Sequence, residues 1–162
     1  MVQQKLRLFH LNVFHLFQKL PDLCVFLDQP DPYHLFGLTE TRLNSSIPDV
    51  SVSLPNYTVV RRDPSRFGET GVAVYLHRSI QAVACRRSDL ETDEVECIWI
   101  ELKSPQQPSL FVCFLYRNPT ATFEWYDKFL HMYDKVCEHN RNMLLMGDFN
   151  IDMFKPHPAW ES

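Results

Sequence analysis

Five polar side chains close short apolar runs of this sequence. Asn12 ends LRLFHLN (6–12), Glu40 follows YHLFGLT (33–39), Tyr116 ends LFVCFLY (110–116), and Asp148 and Asn150 follow NMLLM (142–146). Acid, amide and phenol oxygens are hard ligands and hydrogen-bonding groups, suited to Mg²⁺ and phosphate rather than to zinc or copper. Ligands of α/β sheets gather outside the carboxyl ends of strands. If the runs are strands lying side by side and pointing the same way, all five side chains meet in one place. Taken singly, each has a plain alternative. GDFN (147–150) also reads as a turn leaving a strand, TET (39–41) as a helix cap or surface loop, Asn12 as a cap, and Tyr116 as core edge before a turn. The convergence carries the reading.

The elements that must position these residues are short. Strand character marks 6–12, 33–39, 57–61, 71–77, 80–85, 95–102, 110–116 and 142–146. Gln106 and Gln107, flanked by Pro105 and Pro108, suit a hairpin connection. Residues 13–27 approach helical spacing, with Pro21 as an interruption. Residues 123–139 place Phe123, Tyr126, Phe129, Leu130, Tyr133, Val136 and Cys137 on one helix face. The order of elements predicts an α/β domain of mixed sheets flanked by helices. No repeat or linker divides it, so one domain over 1–162 is expected.

Composition narrows the function classes. The chain has 162 residues, 45% hydrophobic and 22% charged, enough for one domain with a true core. A net charge of −4 argues against a passive nucleic-acid coat that holds by charge alone. It leaves room for an enzyme whose metal ion supplies the local positive charge. The five cysteines are odd in number and form no C-x-x-C, so they read as small buried hydrophobes of a reducing compartment. His131, Cys137 and His139 do not focus on one point and predict no zinc site. Trp99, Phe111, Phe114, Phe123 and Tyr126 are expected in the core. The N-terminus, broken by Gln3, Gln4, Lys5 and Arg7, is neither a signal peptide nor a membrane span, which predicts an intracellular protein with no membrane partner.

Leu11-Asn12-Val13, Leu38-Thr39-Glu40-Thr41-Arg42-Leu43, Gly71-Val72-Ala73-Val74-Tyr75, Tyr116-Arg117-Asn118-Pro119 and Gly147-Asp148-Phe149-Asn150 resemble the ordered motifs of the endonuclease/exonuclease/phosphatase superfamily. The likeness is in particular to the apurinic-like endonuclease domain of LINE-type non-LTR retrotransposons. It implies an α/β (α+β) four-layer sandwich of two facing mixed β-sheets flanked by helices. It also implies Mg²⁺, or Mn²⁺, as cofactor, DNA as partner, a nuclear location and the nicking of phosphodiester bonds. Glu40 would be the main metal ligand, helped by Asn12. Asp148 would orient or deprotonate the attacking water, Asn150 would hold phosphate or that water, and Tyr116 would hydrogen-bond the scissile phosphate. Arg61, Arg62 and Arg117 are the basic residues expected against DNA; for the first two a plain solvated surface is the alternative.

The chain departs from the superfamily's pattern in four places. Phe14 and His15 stand where a basic and a small residue are usual. Glu69 enters the turn Gly68-Glu69-Thr70-Gly71, and Asn118 replaces a proline. Members of the superfamily continue to an Asp-His pair near a Ser, whereas none of the seven histidines here follows Ser-Asp. The expectation is therefore a domain truncated at its C-terminus, crippled as a nuclease, whose full-length relative carries a downstream segment such as a reverse transcriptase. Two alternatives stand beside it: a catalytically dead fragment acting as a binding module, and a phosphatase on a phosphoinositide or other small phosphoester.

Overall fold

The computed structural model of the chain describes residues 5–66, 68–105, 107–138, 142–152 and 154. Expectations on residues 1–4, Gln106, His139, His157 and the tail 155–162 lie outside these residues. Eight strands form two sheets. β1 (Leu8–Asn12), β2 (Leu35–Thr39), β3 (Tyr57–Arg62) and β4 (Val72–His77) make the first, in the order β1-β2-β4-β3. β5 (Val83–Arg86), β6 (Glu96–Lys103), β7 (Leu110–Tyr116) and β8 (Asn142–Asp148) make the second, in the order β5-β6-β7-β8.

Each sheet contains one parallel pair, β1 with β2 and β7 with β8, and its other neighbours are antiparallel. A parallel pair needs a crossover, and helices α1 (Leu16–Leu27) and α2 (Phe123–Cys137) supply the two. Burial explains why the strands read as continuous apolar runs. In β6, Cys97 and Trp99 pack toward α2, whereas Ile98, Ile100 and Leu102 pack between the sheets. Both faces are covered, so both are apolar.

Three apolar clusters define three interfaces. Leu16 and Leu23 of α1 pack on Phe36, Leu38 and Tyr75 of the first sheet. Leu35, Val72 and Val74 meet Ile98, Val112 and Phe114 between the sheets. Trp125, Met132 and Val136 of α2 pack on Trp99, Phe111 and Cys113. The architecture is thus helix, sheet, sheet, helix, the four-layer α+β sandwich expected. Gly37 sets the contact between sheets, because a Cβ there would collide with the Phe114 ring.

Several details correct the sequence reading. Site-bearing strands do not all lie side by side; β1 and β2 belong to one sheet, β7 and β8 to the other. α1 begins at Leu16, not at 13, because residues 13–16 keep bonding along the exit of β2: the N–H groups of Val13, His15 and Leu16 donate to the carbonyls of Thr39, Glu40 and Thr41. Pro21 lies inside α1. Burial of Leu16 and Leu23 on either side of it offsets the one hydrogen bond it removes. On α2 the core face runs through Trp125, Phe129, Met132 and Val136, while Phe123 and Tyr133 are exposed. Cys97 and Cys113 are buried as expected, but Cys24 and Cys137 are exposed. Among the described residues no helix is long and apolar enough to cross a membrane.

Candidate functional site

Strand register places the candidate residues. Tyr116 on β7 lies between two acids in the second sheet, opposite Glu96 on β6 and Asp148 on β8. In-register neighbours share a face, and Tyr116 belongs to the cluster between the sheets, so this row looks toward the first sheet. There Asn12 is opposite Thr39, with Glu40 the next residue. The ends of the two parallel pairs therefore face one another across the sandwich.

Asn12 ties the two sheets together. Its Nδ2 donates to Glu40 Oε1 at 2.8 Å and to Asp148 Oδ2 at 3.0 Å. Its Oδ1 accepts the Phe14 N–H at 3.2 Å, which fixes which end of the amide faces the acids. Asn12 thus presents an N–H toward the point where an oxygen ligand was expected. It holds the two carboxylates. Arg42 stands 3.3 Å from Glu40 Oε2.

The remaining candidates continue the network. Asn150 donates its backbone N–H to Asp148 Oδ1 at 3.2 Å and its Nδ2 to the Arg117 carbonyl at 2.9 Å. Its side chain braces the 117–150 junction. Tyr116 is only 6% exposed. Burial, then the charges of Glu40, Asp148 and Glu96, push its phenol above the usual value. It stays protonated at neutral pH and can donate.

Backbone strain gathers here. Phe14, His15, Glu40, Arg42 and Asn150 are five of the six non-glycine positive-φ residues among those described, with φ of 39°, 77°, 54°, 50° and 48°. Such conformations cost on the order of 1 kcal/mol or more each and concentrate where a side chain must be aimed. Gly71 supports the arrangement: with φ 92°, it passes so close to Thr41 that a Cβ would strike the hydroxyl.

Two groups carry chemistry the sequence reading did not assign. Glu96 is buried beneath the 68–71 turn and accepts N–H bonds from Thr70, at 3.0 Å, and from Gly71. Burial, aided by Glu69, raises its carboxyl to about 7 although these N–H groups pull the other way. Its signal was an acid heading the inter-sheet row Glu96, Ile98, Ile100. His10 meets Thr39 Oγ1 at 3.0 Å, and burial lowers its basicity more than nearby Asp148 raises it.

The three arginines expected against DNA are used by the protein itself. Arg61 binds Asp63, Asp49 and the carbonyls of Ile47 and Asn44. Arg62 binds the carbonyls of Thr92, Asp93 and Val95. Arg117 is buried against Trp125 and Tyr126 and donates to the carbonyls of Phe149 and Asn150. Glu69, the acid that departs from the superfamily's pattern in the 68–71 turn, is folded onto its own loop by the Ser65 and Arg66 N–H groups.

The donor set can be tested against a metal. Two carboxylates converge on one amide, and no group of three or more His, Cys, Asp and Glu side chains gathers among the described residues. Mg²⁺ is commonly held by one or two carboxylates, with water and substrate phosphate completing the shell. Glu40 and Asp148 fit that ion.

No protein-family model matches the chain. No curated protein matches it either. Solved structures do. An AP endonuclease from Leishmania major superposes with a TM-score of 0.70 at 17% identity, over 90% of this chain and 55% of its own. The endonuclease domain of TRAS1, a telomere-specific non-LTR retrotransposon, gives 0.61 at 12% identity, over 91% and 60%. A 3′ phosphatase from Neisseria bound to a product DNA hairpin gives 0.61 at 18% identity, over 91% and 58%. The chain spans between 55% and 60% of the length of these three structures. With its paired four-stranded sheets, it has the endonuclease/exonuclease/phosphatase fold.

Proposed function

We propose that this chain hydrolyses phosphodiester bonds in DNA, as a Mg²⁺-dependent nicking endonuclease of retroelement type. One observation carries the reading: Asn12 holds Glu40 and Asp148 at one point, from opposite sheets, with the Tyr116 phenol in the adjoining row. A phosphodiester resists hydrolysis because a nucleophile must approach an anion, so a site needs a cation, a base and donors for the phosphate oxygens. A bound Mg²⁺ would supply the positive charge, held by Glu40 and steadied by Asn12. Asp148 would orient the attacking water and take its proton. Tyr116, kept protonated, would donate to a phosphate oxygen. Asn150 would hold the Asp148 loop in place through Arg117.

The retroelement assignment, a nuclear location and a downstream reverse transcriptase rest on the motif wording and on the likeness to the TRAS1 domain. Conversion of supercoiled plasmid to open circle, with Mg²⁺ and with EDTA, tests the reading. Nicking that needs Mg²⁺ and falls at least a hundredfold in Asp148→Asn supports it. Absence of nicking together with phosphate release from inositol phosphates would replace DNA by a small phosphoester.

A further inference from the structure

Phe14 sits two residues beyond Asn12 with 58% of its surface exposed. Its conformation is costly to maintain. The backbone is left-handed at Phe14 and again at His15, and the Phe14 N–H is tied to Asn12 Oδ1. The ring is turned to solvent on a strained backbone, and strain of this kind gathers where a side chain is aimed at a ligand. The Arg42 guanidinium lies 4.3 Å from the ring centroid, and the same guanidinium is 3.3 Å from Glu40. One cation thus links the ring to the carboxylate of the site.

We propose that Phe14, backed by Arg42, is the platform on which an unstacked base of the DNA strand lies beside the scissile phosphate. This rests on the phosphodiesterase reading and adds the feature of the substrate that is recognised: a base out of its stack rather than phosphate charge alone. Overall charge does not favour the hold here. The chain carries a net charge of −4, and Arg61, Arg62 and Arg117 are committed to internal acceptors. Stacking on an aromatic face is tolerant of sequence and independent of net charge, and it is worth on the order of tenfold to a hundredfold in affinity per base. Arg42 adds to it, since a planar guanidinium lies equally well against a ring and near phosphate.

The test separates base from backbone. Binding of the 162-residue chain to a labelled ten-nucleotide single strand is followed by fluorescence anisotropy in EDTA, where hydrolysis plays no part. A strand of the same length made of abasic sites serves as comparison. Phe14→Ala is expected to weaken binding of the base-bearing strand roughly tenfold or more, with Phe14→Trp restoring it. The abasic strand should bind both proteins alike, and the salt dependence should not change. Equal binding of the base-bearing strand by wild type and Phe14→Ala overturns the proposal, as does an equal loss on both strands. Failure of the phosphodiesterase reading would look different: wild type would bind the strand but leave plasmid intact in Mg²⁺.

Discussion

The amide of Asn12 reaches Asp148 at 3.0 Å across 136 positions of sequence, from one sheet to the other. Asn12→Asp would set a third carboxylate among two and should destabilise the metal-free protein by about 1–2 kcal/mol. Added Mg²⁺ should return that stability. The check is the thermal midpoint with EDTA and with Mg²⁺. A variant that Mg²⁺ does not restore would mean that the three side chains share no cation site.

Glu40→Gln tests the metal more directly. Glu40 is the only acid closing the second strand, and Asn12 aims it. Removing its charge should weaken Mg²⁺ binding at least tenfold, about 1.4 kcal/mol. Unchanged affinity by titration calorimetry would take Glu40 out of the site.

Glu96 makes stability depend on pH. Its carboxyl is raised from 4.5 to about 7 in the folded chain. Between those values the native state holds a proton that the unfolded state has lost, so stability is full below about 4.5 and declines until about 7. Glu96→Gln cannot ionise and should flatten this decline. At pH 8 the variant should exceed wild type by up to about 3 kcal/mol, read from urea unfolding at several pH values. Parallel pH curves for the two proteins would show that Glu96 ionises freely in the fold.

Gly37→Ala examines how the sheets are spaced. The new Cβ would drive into the Phe114 ring. Overpacking of this kind should cost about 1–3 kcal/mol. Phe114→Leu in the same chain should recover part of the loss, which denaturant midpoints for the single and double variants would reveal.

Much of this was legible in the sequence, for local reasons. Tyr116 and Asp148 close apolar runs, and strands buried on both faces leave such runs behind. Asn12 and Glu40 were found in the same way, but the amide's orientation was not, because the Phe14 N–H decides it. Arg61, Arg62 and Arg117 were expected against DNA. Their acceptors are carbonyls and acids of other loops, up to 33 positions away, and no spacing rule anticipates such partners. The true face of α2 was misjudged because Trp125 and Met132 are drawn inward by Trp99, a tertiary contact that outweighs helical periodicity.

Division of the site between two sheets has a consequence for synthesis. The first sheet can be complete once His77 has left the ribosome, with Asn12 and Glu40 already at its edge. Asp148 follows 71 positions later (148 − 77), a delay of roughly 4–14 s at ordinary rates of translation. During that interval Leu35, Val72 and Val74 have no second sheet to cover them. The nascent chain therefore passes through a stage in which Asn12 and Glu40 lack their partner acid and a bare apolar face is displayed beside them, the kind of surface on which partly made chains aggregate.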